Sequence, residues 1–481
     1  MPPVSSWNGS LRWAAGILLV LTVVGIVNMH YDDSSAGASL NSGTRRDIHA
    51  KKPPRPAGWV YSWSIDQNRT PLGRMETHPT HDAFLSTKEP RMVSVGATGH
   101  SVSVDEFGAL WAWGRNNSRG GGGNFYTMDD SGQVGVGEGP ETDPHRIELL
   151  PGSRAPSFER VASGRYFSLA LSSAGEVWSW GMNDRGQLGR AGSDKKAGEG
   201  PCYSGEECRD PWPHPIESDL RFRWVSAARY SSVAVSQDGR LWVWGIDQCG
   251  NPDAERLKSE GKSPADLASA KPRQLTVREG GKEISFRSVD AGYFHWLALD
   301  ASGGVWSCNN GDDGYTGFLS EKLNGWREFN AERELGRQGS GLVPGRVEGI
   351  QDAVQVAAGR CGSGAVLRDG TPLIWGCRMV AGKDAAHPGA NAPKQVPGLG
   401  PGTPGGKVAI LAVAEACAVA GGEDGRLWAW GRVGALKEGV ESPNDSPQDV
   451  PLQLHGELPD GGRVVALAGG HQHFLAVVEV K

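Results

Sequence analysis

The feature that most constrains this chain is a unit that returns along it at intervals of 55 to 67 residues. A turn glycine is followed at +3 and +5 by large side chains: Gly108 by Trp111 and Trp113, Gly175 by Trp178 and Trp180, Gly239 by Trp242 and Trp244, Gly425 by Trp428 and Trp430. Two copies vary the pattern: Gly303 precedes Trp306 and Cys308, and Gly370 precedes Leu373 and Trp375. Self-similarity at such a period marks an array of small units that bury their apolar faces by stacking on one another.

The unit at 160–189 reads as strand, turn, strand, turn, strand and loop. Phe167, Leu169 and Leu171 alternate with Ser168, Ala170 and Ser172, the period of two of a β-strand. Gly175 supports a tight turn because it tolerates positive φ. Trp178 and Trp180 lie two apart, so they share one face of the next strand and offer the apolar area needed to pack one small sheet on another. A second turn follows at Gly186-Gln187-Leu188-Gly189. The strand before the turn recurs, as Gly164-x-x-Phe167-Ser168-x-Ala170-Leu171 and Gly292-x-x-His295-Trp296-x-Ala298-Leu299. A proline with an aliphatic residue three on, as in Pro144/Ile147 and Pro272/Leu275, opens a fourth strand.

One copy is split between the ends of the chain. Gly470-x-x-His473-Phe474-x-Ala476-Val477 has the first strand without a Trp strand, while Gly58, Tyr61 and Trp63 supply the missing spacing. Six complete units and this composite make seven, and joining the ends would remove free sheet edges. The string VASG-x-x-x-SLAL-x-x-x-G-x-VWSWG-x-N-x-x-GQLG resembles the repeat of the regulator of chromosome condensation family, over about 59–481. The resemblance implies an all-β fold, a seven-bladed β-propeller of four-stranded antiparallel blades, here closed by N- and C-terminal strands. Eleven of the 18 tryptophans fall in the repeated slots, so they are expected to pack blade on blade rather than to form a carbohydrate platform.

Ahead of the repeats the expected divisions are a tail at 1–12, an apolar segment at 13–29 and a flexible linker at 30–57, with the propeller at 58–481. The apolar segment is close to the ~20 residues that span a bilayer. It reads as one transmembrane helix, with a cleaved signal sequence as the rival. Arg12 before it and Asp32 and Asp33 after it would place the propeller outside the cytoplasm. The expectation is therefore a single-pass membrane protein, or a secreted or periplasmic one after cleavage.

The 481 residues carry a net charge of −6, which lacks the basic footprint of a nucleic-acid binder. Among the seven cysteines, Cys202 and Cys208 bracket a short loop that could close as a disulfide in an oxidising compartment. No cysteine pair has zinc-site spacing, and no nucleophile–base motif is present. His100, His295 and His473 share the same strand start, where the family resemblance implies a hydrogen bond within the turn. No catalytic residue, cofactor or metal ligand is expected.

Loop length says more about function. From the second aromatic slot to the fourth-strand aliphatic residue is 34 residues at Trp113, 36 at Trp180, 31 at Trp244 and 39 at Cys308, but 21 at Trp375 and 20 at Trp430. Long loops on a rigid scaffold are where recognition concentrates. The expected function is a membrane-tethered, non-enzymatic module that binds a protein or peptide through Phe125, Tyr126, Tyr203, Trp212 and Trp326, since hot spots favour Trp and Tyr. The resemblance offers two alternatives, guanine-nucleotide exchange on a small GTPase and inhibition of an extracellular enzyme.

Overall fold

The computed structural model describes residues 58–64, 80–82, 90–96, 99–116, 132–136, 141–149, 156–190, 209–262, 267–309, 336–337, 341–376, 380, 392–414, 417–431, 433, 448–455, 461–470 and 473–479. The chain divides into two compact units, Met1–Pro54 and Arg55–Lys481. The first lies outside the described residues, as do the apolar segment at 13–29 and the linker at 30–57.

Six antiparallel sheets are each built from four consecutive strands. The second of these blades runs Phe158–Ser163, Phe167–Ser172, Val177–Met182 and Arg209–Pro215 from the innermost strand outward. The alternation read in the sequence sets its register: Trp178 faces Ala170 and Trp180 faces Ser168. A further four-stranded sheet is composite. Gly58–Ser64 pairs with His473–Glu479 along its full length, Tyr61 opposite Ala476 and Trp63 opposite Phe474. Thr80–Asp82 and Arg463–Gly469 complete that sheet.

The innermost strands touch in sequence order, and Arg463–Gly469 touches both Val408–Val413 and Pro90–Val95, so the circle closes. Apolar side chains fill the seams. Val93, Val95 and Trp113 of the first blade cluster with Leu475 and Val477 of the composite sheet. On the other side Cys417 and Val419 cluster with Val464 and Phe474.

The repeated residues turn out to be inter-blade clasps. The N–H of Phe158 donates to the carbonyl of Gly108 in the preceding blade at 2.9 Å, and Phe222 to Gly175 and Phe286 to Gly239 at 2.8 Å. Gly175 sits at φ +83°, and a Cβ there would meet the carbonyl of Phe222 in the next blade at 2.9 Å. Glycine is therefore required at that turn both for its backbone conformation and for the close approach. The second-slot tryptophan makes another clasp. Trp180 Nε1 donates to the carbonyl of Gln133, and Trp244 Nε1 to that of Gln187, each at 2.9 Å. Ser168 and Ser232 donate to the same two carbonyls at 2.8 Å.

The shared histidine acts between blades, not within its own turn as the resemblance implied. His100 lies 3.1 Å from Ser168, His295 2.7 Å from Ser363, and His473 3.4 Å from Ser101. The reason is position: the side chain at the start of the second strand faces the seam, and the next blade offers a serine there. Burial holds the imidazoles of His100 and His473 down at about 3, a Phe167 backbone hydrogen bond opposing this in His100, with His100 and Arg115 adding to it in His473.

The only α-helix among the described residues is Ala254–Ser259. No helix among them is long and apolar enough to cross a membrane, so the expected transmembrane helix is not part of the described fold.

Candidate functional site

Hydrogen bonds fix which loops share a face. Met182 N donates to Tyr166 O at 2.9 Å and Ile246 N to Tyr230 O at 3.1 Å. The chain leaving each third strand thus starts beside the turn that follows the innermost strand. Those inner turns and the described residues that leave the third strands lie on one face. The glycine turns at 108, 175 and 239 occupy the other, where Phe107 is 79% exposed.

Where the inner turns meet, a cavity of about 60 Å³ lies on the ring axis, lined by the ends of all the innermost strands. Its rim carries Arg165, Arg229, Tyr293 and Arg360, which come from four consecutive blades. The sequence places them at one offset, in Gly164-Arg165-Tyr166, Ala228-Arg229-Tyr230, Gly292-Tyr293-Phe294 and Gly359-Arg360-Cys361. Aromatic rings hold the guanidinium groups. Arg165 lies 4.8 Å from the Tyr166 ring and donates to Tyr230 Oη at 2.6 Å. Arg229 lies 5.0 Å from the Tyr230 ring and 6.0 Å from Phe294. Arg360 lies 6.0 Å from the Tyr293 ring. Burial raises the Tyr293 phenol to about 12, against the pull of all three arginines.

Asp290 lies just below this rim. Its oxygens accept from Ser226 Oγ at 3.0 Å, from the N–H of Ala291 at 3.1 Å and from that of Ala358 at 2.8 Å. Burial still pushes its carboxyl up to about 6, the three donors opposing.

Of the expected anchors, Trp212 is described. It lies in Arg209–Pro215 and is 40% exposed. Phe125, Tyr126, Tyr203 and Trp326 lie outside the described residues, as do Cys202 and Cys208. Asp210, two residues before Trp212, is buried and receives Arg190 Nη1 at 2.8 Å. It belongs to the fold rather than to a replaceable loop. No cluster of His, Cys, Asp or Glu among the described residues could hold a metal.

A disulfide that sequence reading missed joins Cys249 to Cys308, across 59 residues and between the third and fourth blades. The signal was present. Cys308 occupies the second aromatic slot, whose side chain reaches the loop of the preceding blade, and Cys249 lies in that loop. Cys361 is also disulfide-bonded, whereas Cys417 is a free, buried thiol.

Models of the regulator of chromosome condensation (RCC1) repeat match residues 158–187 and 174–235. The RCC1 domain-containing protein RUG3, mitochondrial, of Arabidopsis thaliana is 22% identical over 395 residues, covering 80% of this chain and 76% of that protein. The guanine nucleotide exchange factor SRM1 of Saccharomyces cerevisiae is 23% identical over 65% of this chain and 59% of its own length. The human E3 ubiquitin-protein ligase HERC2 is 28% identical over 54% of this chain, which spans only 5% of that ligase. Among solved structures, human WBSCR16 superposes with a TM-score of 0.63 at 18% identity, covering 88% of this chain and 99% of that one. That likeness carries the fold alone.

These matches also correct the expected location. A single-pass membrane protein with an extracytoplasmic propeller is not supported: among the described residues no membrane-length helix occurs, and RUG3, of which 76% is matched, is named as mitochondrial.

Proposed function

We propose that this chain, a propeller built from RCC1 repeats, is a non-enzymatic interaction module that binds a protein or peptide through the face carrying its long loops. The propeller is taken to span 58–481, with the composite sheet as its seventh blade. The observation that carries the reading is that the chain leaving the third strand starts beside the inner turn in three consecutive blades, on a ring whose seams are already satisfied by clasps. Conserving a rigid ring while lengthening loops on one face is how recognition is added to a scaffold. Trp212, which is exposed, is proposed as an anchor on that face, with Phe125, Tyr126, Tyr203 and Trp326 as its companions in the loops.

The test is loop replacement. Short Gly-Ser turns in place of 117–131 and 191–208 should leave the melting transition in place and abolish capture of the bound protein. The replacement spares Asn116, which is buried and bonded to Val134 and Val136, and also Asp210. Equal capture by the shortened protein would move recognition elsewhere.

Similarity to SRM1 over 65% of the chain favours a second reading, nucleotide exchange on a small GTPase. Release of a fluorescent GDP from such a GTPase, accelerated by catalytic amounts of this protein, would support it. An unchanged release rate would remove it.

A further inference from the structure

The loop that leaves the third blade's third strand forms a second cavity, of about 360 Å³, far larger than the one on the ring axis. It lies between the strand Leu241–Gly245, the helix Ala254–Ser259 and the strand Ser269–Leu275. We propose that this cavity binds an organic amine, a protonated amino group carried on a small apolar body. The proposal goes beyond the interaction reading and does not depend on it.

Three features carry it. The first is an unmet acceptor. Asp247 stands in the cavity wall and is only 3% exposed. Its Oδ1 accepts from the N–H of Cys249 at 2.8 Å, while its Oδ2 is buried and has no hydrogen-bond partner. A buried acceptor left unpaired is destabilising, most of all when it is charged. Arg273 does not remove that cost. Its Nη2 lies 3.5 Å from Asp247 Oδ1 and gives a shorter bond, 2.8 Å, to the Cys249 carbonyl. Its Nη1 donates to the Gly250 carbonyl at 3.2 Å. Burial accordingly pushes the Asp247 carboxyl up to about 7, with Arg273 and the Cys249 N–H opposing. A charged donor entering the cavity supplies what this carboxylate lacks.

The second feature is the sign of the surroundings. Arg256, on the helix, is held by Asp253 and by Glu260, each at 3.0 Å. Its charge is already matched by two carboxylates. Asp247, Asp253 and Glu260 together outnumber Arg256 and Arg273, so a cation is favoured over an anion.

The third feature is a preformed apolar enclosure. About 360 Å³ falls within the ~300–1,000 Å³ of pockets that enclose small organic ligands. Val243, Trp244, Leu257 and Leu267 supply the apolar wall. The loop that carries Asp247 is fixed from several sides. The Cys249–Cys308 disulfide and the bond from Gly250 N to the Leu342 carbonyl, 2.7 Å, tie it to the fourth blade. Asn251 donates to the Asp247 carbonyl at 3.3 Å and accepts from the N–H of Asp253 at 3.0 Å. A cavity ordered in advance costs less to fill.

The experiment uses the full chain and isothermal titration calorimetry with phenethylamine, against 2-phenylethanol, which carries a hydroxyl in place of the ammonium on the same body. The amine is expected to bind, and the alcohol at least about tenfold more weakly. Among the residues that line the cavity, the charged side chains besides Asp247 are Asp253, Arg256 and Arg273. The amine needs the Asp247 carboxylate ionised, and a carboxyl at about 7 gains its charge as pH rises. Affinity should therefore strengthen about tenfold from about pH 6 to about pH 8, a range over which an alkylammonium stays protonated. Asp247→Asn should weaken binding about tenfold at the upper pH and remove the pH dependence, a readout that a purely structural role would not move. Ala268→Leu narrows the cavity and leaves Asp247 in place, so it should weaken binding and keep the pH dependence. It guards against an Asp247→Asn protein that fails to fold, and unchanged melting transitions identify which variants count.

Equal affinity for the amine and the alcohol would overturn the proposal. So would binding that does not change with pH, or full binding by folded Asp247→Asn protein. N-acetyl-lysine N-methylamide, titrated in parallel, distinguishes the two sources of such a group. Weaker binding than phenethylamine assigns the cavity to free amines, and tighter binding assigns it to a lysine of a protein partner. If phenethylamine binds while the loop-replaced protein captures its partner unchanged, the interaction reading falls and this inference stands.

Discussion

The seam between the second and third blades and the seam between the third and fourth use one position for different bonds. In the first, Trp244 reaches back and its indole N–H donates to the carbonyl of Gln187 at 2.9 Å. In the second, the same slot holds Cys308, which is covalently bonded to Cys249 in the preceding blade's loop. Each side chain leaves its third strand toward the blade that precedes its own, and both are buried. The slot is thus a place for fastening, and the repeat tolerates any chemistry that fastens. A tryptophan contributes area and one hydrogen bond, while a disulfide contributes a constraint on the unfolded chain.

The largest expected effect comes from emptying the noncovalent seam. Trp244→Ala should cost about 3–5 kcal/mol, because a large buried side chain leaves a cavity and the Gln187 carbonyl loses a donor. Denaturant unfolding would measure it, and a loss under about 1 kcal/mol would mean that the indole is not a fastener. The covalent seam should give a smaller and different response. Reducing the protein, or making Cys249→Ala with Cys308→Ala, should cost about 2–5 kcal/mol. The signature is selectivity: reductant should lower the melting temperature of Trp244→Ala protein further, and should spare the Cys249/Cys308 double variant from that part of the loss. Cys361 is disulfide-bonded as well, so the double variant separates the two contributions.

Acid should loosen the seams next. His100 and His473 are neutral in the fold, with imidazoles held at about 3, against about 6.5 when unfolded. For groups lowered by folding, this stability is complete above about pH 6.5 and is lost as pH falls toward 3. Each should contribute a slope of about 1.4 kcal/mol per pH unit in that window. His473→Gln should flatten the acid limb of a stability–pH curve; an unchanged limb would deny that this imidazole is buried neutral. The smallest expected effect is Ser232→Ala. It removes one of two donors to the Gln187 carbonyl and should cost about 1 kcal/mol, since Trp244 continues to satisfy that group.

The same two seams show what could be read from the sequence. The blade pattern was legible because Gly175, Trp178 and Trp180 each do a local job that recurs at fixed offsets. Splitting one unit between the chain ends was legible for the same reason: Gly58, Tyr61 and Trp63 complete what His473 and Phe474 begin. The Cys249–Cys308 bond is hidden from sequence proximity, which singles out Cys202 and Cys208 instead. The useful signal was a cysteine standing in a tryptophan slot. The arginine rim was also missed. Arg165, Arg229 and Arg360 are unremarkable within their own units, and only closure of the ring brings their shared offset to one axis. Four of the five expected anchors fall in loops whose sequences share nothing between blades, so repetition could place those loops on a face without shaping them.

The central claim is that recognition belongs to the long-loop face. Two exposed aromatics test it directly: Trp212, in the strand Arg209–Pro215 that follows the long loop of its blade, and Phe107, in the glycine turn at the other end of the strands. A photoreactive benzoylphenylalanine placed at position 212 in one protein and at 107 in another would be irradiated with the bound partner. The account expects a cross-linked product from position 212 and none from position 107. Cross-linking from 107 alone would contradict it.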